Sequence, residues 1–241
     1  MIEEFKKYVE KFDRSDKDID RKYYHSLRVK DLCQILAKHL NLDEDNRKIV
    51  EVIGLLHDYG RFMQWQKYHT YNDSLSIDHG DYAVEELFKK GQIKKFWPDI
   101  KDYDEIYDAI KYHNKLEIPS YLSDHNKLLC KIIRDADKLD ILYLYVSKSL
   151  VIQEDGEISK NVKEAFDNER TVNKKDEKTA ADHTIVVLAL IYDMNFDYSF
   201  KHLKDYKIFD QIFENVKNKE KFRIYFDKVN EYIDKKVREM E

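Results

Sequence analysis

Apolar side chains recur three and four positions apart along most of the chain, which predicts one helix after another. Tyr24, Leu27, Leu32, Ile35, Leu36 and Leu40 keep this period, so an amphipathic helix is expected over about 20–40, with His25 near its start. Ile49 to Leu56 is apolar almost all round, as in a helix buried in the middle of a domain, and it runs directly into His57-Asp58. A polar and aromatic connection, 61–78, follows. It is longer than most loops in compact domains, which makes it a candidate cover for a site, with a short helix expected inside it. The next helix is predicted to begin at Asp78, a residue suited to capping a first turn, and to stop near Gly91, with His79 in that first turn. Tyr103, Ile106, Tyr107, Ile110 and His113 form another stripe, and 128–150 reads as a long apolar helix carrying Asp135, Asp137 and Asp140. The most polar stretch, 153–178, is a boundary or an exposed insertion. Beyond it 180–193, 200–216 and 222–237 read as three amphipathic helices.

Composition sharpens this picture. Five Gly and two Pro give strands and tight turns little punctuation, so the class is all-α. The 241 residues suffice for one helical domain over 1–241, with a core at about 20–150 and a C-terminal helical extension at about 179–241. The 43 basic and 48 acidic side chains are interspersed and sum to −5, leaving no broad basic face, and no nucleic-acid polymer is expected as a partner. The longest apolar run, Ile185 to Tyr192, is far short of the roughly 18 residues that span a bilayer, and the N-terminus is charged from the outset. No membrane partner is expected, and the cytoplasm is the expected compartment. Cys33 and Cys130 lie in apolar helical runs and read as packed thiols rather than as a disulfide or as ligands.

The strongest local chemistry is His57-Asp58 at the end of the apolar helix. A carboxylate beside an imidazole is costly to bury unless a cation or hydrogen bonds compensate it. Alone, such a dipeptide is more often a capped helix end than a ligand pair. Its context changes that balance, with His25 upstream in one helix and Ala136-Asp137-Lys138-Leu139 downstream in another. Over roughly residues 1–150 the sequence resembles the HD superfamily of metal-dependent phosphohydrolases. His25-Ser26-Leu27-Arg28-Val29 is similar to the family's first-histidine helix, Leu56-His57-Asp58-Tyr59-Gly60-Arg61 to its signature, and Asp135-Ala136-Asp137-Lys138-Leu139-Asp140 to its last-aspartate helix.

The resemblance implies an HD-domain helical bundle with additional C-terminal helices. It also implies that His25, His57, Asp58 and Asp137 are ligands of a divalent cation. A mixed imidazole and carboxylate set suits Mn²⁺, Fe²⁺, Co²⁺, Ni²⁺, Zn²⁺ or, less readily, Mg²⁺. Asp137 is preferred over Asp135 because its Ala-Asp-Lys-Leu setting matches the family. The two aspartates are two residues apart and so lie on different helix faces. In some HD subfamilies further histidines bind a second metal or the substrate, and His79 and His113 occur in suitable order. His113 also continues the stripe of Ile106 and Ile110, which fits a packed core histidine equally well. The Gly-Tyr-Pro segment of the cyclic-dinucleotide phosphodiesterase branch is missing, so that branch is not expected.

Arg28, one turn after His25, and Arg61, three residues after Asp58, are candidates to clamp a substrate phosphate, the alternative being ordinary pairing with nearby carboxylates. Trp65, Tyr68, His69, Tyr71 and Asn72 suit a lid that stacks on a base or sugar, or a loop packed down by its own aromatics. His39, His125, His183 and His202 lack matching partners and read as surface or packing residues. There is no glycine-rich phosphate loop, serine nucleophile elbow or paired Cys-x-x-Cys. The resulting expectation is a metal-dependent phosphohydrolase acting on a nucleotide or related small phosphorylated metabolite through a metal-activated water, with Asp58 as both ligand and catalytic group. Two alternatives stand beside it. One is an HD-fold di-iron oxygenase, and the other is a non-catalytic ligand-binding or regulatory HD protein. Against the latter stands the complete set of buried polar ligands. The C-terminal third is left open as a pocket wall, a homodimer interface or a separate subdomain.

Overall fold

Helices account for every regular element among the residues that the computed structural model describes, 1–101 and 103–240; no strand occurs among them. The chain divides into two compact units, Met1–Asp137 and Lys138–Glu241. The first unit contains α1 (Ile2–Val9), α2 (Lys17–His39), α3 (Glu44–Leu56), α4 (Tyr59–Tyr68), α5 (His79–Val84), α6 (Ile93–Phe96), α7 (Asp104–Tyr112) and most of α8 (Asp124–Val146).

Helix α2 starts where the Asp16 carboxylate accepts a hydrogen bond from the Asp18 N–H, and α3 where Asp43 accepts from Asn46 N–H. These two helices form the most extensive pair in the unit. Gly54 lets them approach, because a Cβ there would lie 2.8 Å from the Lys30 Cα. The long connection expected over 61–78 is shorter than the sequence suggested, since α4 runs on to Tyr68. The physical reason is burial of Tyr59 and Phe62, one turn apart, against Phe5, Tyr8 and Phe12 of the N-terminal segment. What remains is 69–78, with a single 3-10 turn at Asp73–Leu75. Helix α5 begins after Asp78, whose side chain accepts from Asp81 N–H, and its path continues through a wider π-type turn, Glu85–Lys89, to a stop at Gly91.

The second unit contains α9 (Lys160–Asp167), α10 (Ala180–Leu188), α11 (Asp197–Asp205), α12 (Ile208–Glu214) and α13 (Lys219–Met240). Helix α9 lies within the most polar stretch of sequence and is fixed by burial of Val162 and Phe166. The helix expected over 200–216 is two helices, broken where Lys207 adopts a left-handed conformation at φ 47°. Asp182 ties the unit's irregular segment together, accepting from the backbone N–H groups of Ser159, Lys178 and Thr179. Cys33 and Cys130 are free and buried, and burial pushes the Cys130 thiol up to about 12. No helix among the described residues is long and apolar enough to cross a membrane.

Candidate metal centre

The histidines and aspartates singled out from the sequence sit mostly at helix ends. His57 is the capping residue that follows α3, and Asp58 occupies the position just before α4. An aspartate there ordinarily caps the helix, yet the Asp58 carboxylate makes no capping bond and points inward. His79 opens α5, His113 closes α7, His25 lies on the buried face of α2 and Asp137 on α8. Gly60 brings the start of α4 against the start of α5. A Cβ at that position would lie 2.4 Å from the His79 carbonyl oxygen, so glycine permits the approach that sets Asp58 beside His79.

Asp58 is the hub. Its Oδ2 is 3.4 Å from His25 Nε2 and 3.6 Å from His57 Nε2, while Oδ1 is 3.4 Å from His79 Nε2 and 3.8 Å from His113 Nε2. Two groups therefore converge with ligand atoms within 4.8 Å of one another: His25, His57 and Asp58, and Asp58, His79 and His113. Asp137 approaches the first group, with Oδ1 3.1 Å from His25 Nε2 and 3.6 Å from His57 Nε2. It is thus Asp137 that these distances bring to the two histidines. His25, His57, Asp58, His79 and His113 are all buried, whereas the Asp137 side chain is 18% exposed.

Hydrogen bonds fix the orientation of three imidazoles. His57 Nδ1–H donates to the Gly54 carbonyl at 2.8 Å, and His113 Nδ1–H donates to the Ile110 carbonyl at 2.6 Å. Both acceptors lie three residues back, among the carbonyls that a helix end leaves unpaired. His79 Nδ1–H donates instead to the Asp73 carboxylate at 2.7 Å. With Nδ1 protonated, each neutral ring presents a lone pair at Nε2. The Nε2 lone pairs of His79 and His113 face each other 2.9 Å apart, and that of His57 lies 3.3 Å from His25 Nε2. Burial, followed by the nearby Arg61 charge, pushes His79 down to about 3 against the pull of Asp73. Burial likewise lowers His113. Neutral acceptors in such contact repel unless a cation lies among them, and imidazole nitrogen with carboxylate oxygen is a donor set that divalent transition ions favour. The residues present fit a metal.

The carboxylates are ready to receive one. Burial alone would raise Asp58, but the Lys22 ammonium, 2.6 Å away, and the surrounding imidazoles hold it well below the usual carboxylate range. Asp137 is also opposed by burial and is held low by the neighbouring His25 and His57 imidazoles.

Several residues at this centre were not anticipated from the sequence. Lys22 Nζ lies 2.6 Å from Asp58 Oδ2, its side chain 14% exposed. Its position one turn before His25 was the available signal. Asp73, Gln64 and Asn114 gather around His79 and Arg61, and no sequence pattern marks them. Arg61 is buried; its Nη1 donates to Gln64 Oε1, the Tyr71 carbonyl and Asp73 Oδ1, and its Nε, 3.5 Å from Asp58 Oδ1, has no hydrogen-bond partner. Arg28 is half-buried one turn beyond His25. The aromatic connection is packed down: Trp65 Nε1–H donates to Asp16, Tyr71 O–H donates to the Asp18 carbonyl, and the two rings lie 4.8 Å apart. His125 pairs with Glu105, and His183 bonds Glu177 and Tyr145 within the C-terminal unit.

Neither a curated protein nor a solved structure gives a significant match to the chain. The family model described as HD domain matches residues 23–142, a span that begins just before His25 and ends just after Asp137. The four residues named from the resemblance and the two additional histidines fall inside that match, and through it the chain belongs to the HD superfamily.

Proposed function

We propose that the protein is a metal-dependent phosphohydrolase whose substrate is a nucleotide or a related small phosphorylated metabolite. The observation that carries this reading is the Asp58 carboxylate, one oxygen of which faces His25 and His57 while the other faces His79 and His113. In this reading His25, His57, Asp58 and Asp137 hold one divalent cation, and Asp58, His79 and His113 hold a second. Bound there, the cations supply Lewis acidity, lowering the pKa of water and polarising a phosphoryl oxygen.

The chain's own residues do the rest. Lys22, on the partly open side of Asp58, contacts a phosphate oxygen of the substrate, with Arg28 adding positive charge one turn further along α2. Arg61, held by Gln64 and Asp73, keeps its charge beside Asp58 and opposes the build-up of negative charge on the phosphoryl group. Asp58, kept ionised, orients the attacking water by accepting its hydrogen bond. The balanced, slightly acidic composition supports a small substrate over a nucleic-acid polymer, and the cytoplasm is the proposed compartment.

The test is reconstitution with Mn²⁺, Fe²⁺, Co²⁺, Ni²⁺, Zn²⁺ or Mg²⁺ followed by a panel of nucleotides and sugar phosphates, with phosphate release as readout. Turnover that disappears in His57→Ala supports the reading. Absence of phosphate release with every ion, alongside iron-dependent oxygen consumption, would favour the second reading, a di-iron oxygenase, which the same shared carboxylate also suits.

A further inference from the structure

We propose that Asp73 is a positioning residue that makes the His79 half of the centre depend on the folded state of the connection 69–78. This deepens the two-cation reading above and rests on it.

The three oriented histidines are not held alike. His57 and His113 donate to carbonyls of their own helices, so folding of α3 and α7 suffices to aim them. His79 is aimed by a side chain from another segment, the Asp73 carboxylate on the 3-10 turn of the connection. Asp73 is in turn fixed by three further donors. Its Oδ1 accepts from Arg61 Nη1 at 2.7 Å and Gln64 Nε2 at 2.9 Å, and its Oδ2 accepts from Asn114 Nδ2 at 3.0 Å as well as from His79. Gln64 Nε2 also donates to Ser76 Oγ and the Ile77 carbonyl, and Arg61 to the Tyr71 carbonyl. The connection is therefore pinned at Tyr71, Asp73, Ser76 and Ile77 by two side chains of α4, and of its carboxylates it is Asp73 that grips the ligand histidine, while Asp78 accepts from Asn114. If the connection opens, His79 loses the bond that fixes its ring and tautomer while His57 and His113 keep theirs.

A carboxylate behind a ligating imidazole both orients the ring and raises its basicity, and losing such a partner typically weakens metal affinity about 10–100-fold. The amide of Asn is a poor replacement. Its oxygen satisfies one pair of donors, and its NH₂ group then faces the other pair.

The experiment titrates Mn²⁺ into metal-free wild type, Asp73→Asn and, as a control for removing a carboxylate charge from the same connection, Asp78→Asn. Bound ions are counted by electron paramagnetic resonance, which distinguishes an isolated ion from an exchange-coupled pair, and amide hydrogen exchange is followed over 69–78. The expected result for wild type is two ions, the second giving the coupled signal and protecting 69–78. Asp73→Asn is expected to keep the first ion unchanged, to bind the second about 10–100-fold more weakly, and to lose the added protection. Asp78→Asn keeps both ions. Two ions of wild-type affinity in Asp73→Asn overturn the inference while leaving the two-cation centre intact, as does equal weakening of both ions, which marks a structural role only. A wild type that binds a single ion, unaffected by His79→Ala, overturns the two-cation reading and the inference with it.

Discussion

The Lys22 ammonium sits 2.6 Å from the Asp58 oxygen that also faces His25 and His57. It supplies positive charge at the edge of the place a divalent ion would take, and its flexible four-carbon stem lets it turn toward an incoming anion. Lys22→Met is expected to retain metal, with affinity equal to or above wild type because a competing cation is gone. Affinity for inorganic phosphate should fall roughly 10–100-fold, the equivalent of one charge-assisted hydrogen bond. Calorimetric titration of Mn²⁺ and then phosphate checks both parts, and loss of the metal itself would contradict the assignment.

Asp58 faces both histidine groups, so its loss should not resemble the loss of one imidazole. Asp58→Ala is expected to lose both ions and all phosphate release, whereas His113→Ala should lose about one ion. Elemental analysis of protein purified without chelator decides between these patterns. Full metal content in Asp58→Ala would remove the carboxylate from the centre.

Acid should destabilise the chelator-treated protein in a defined window. His79 is pushed down to about 3 from an ordinary 6.5, first by burial and then by Arg61. Between those values the unfolded chain binds a proton that the folded chain refuses, so stability rises with pH across the window and is lost on acidification below 6.5. The slope from one such group is about 1.4 kcal/mol per pH unit. Asp58, Asp73 and Asp137, held below the usual carboxylate range, add loss of the same sign as pH falls through and below about 4. Denaturant unfolding at pH 7.0, 6.0 and 5.0 should show a steeper fall for wild type than for His79→Asn, and equal slopes would contradict the assignment.

Gly60→Ala tests the approach between α4 and α5. The new methyl meets the His79 carbonyl, a backbone atom with little freedom to yield. The expected cost is about 1–3 kcal/mol of stability, as for other over-packing substitutions. Loss of the second ion should accompany it. A variant as stable as wild type with both ions bound would show that the helices separate freely.

The helical class, the buried α3 and the cap at Asp78 were legible because each depends on local chemistry: periodic apolar side chains or a capping aspartate. The centre was legible through His25, His57, Asp58 and Asp137 because their sequence setting resembles a family pattern, and the order of His79 and His113 carried the second group. Lys22, Asp73 and Asn114 were not, since lysine, aspartate and asparagine are ordinary on a charged surface and only tertiary contact distinguishes them. The reach of α4 to Tyr68 was hidden for a similar reason. Its burial depends on Phe5, Tyr8 and Phe12, about fifty residues away, rather than on its own mixed polar pattern. The break at Lys207 rests on one left-handed residue that is not glycine, so composition gave no sign of it.

The anchoring of His57 and His113 on carbonyls three residues back has an evolutionary consequence. Every amino acid carries a carbonyl, so the aim of these two candidate ligands depends on no side chain at positions 54 and 110, and His113 keeps its aim through almost any replacement of Ile110 that preserves the helix and its packing. Asp73 has no such immunity, because its grip on His79 is a property of one side chain on a surface connection. Drift in that connection would change the second half of the centre first, and with it the chemistry of the site, while the His25–His57–Asp58 half passed unchanged to the descendants.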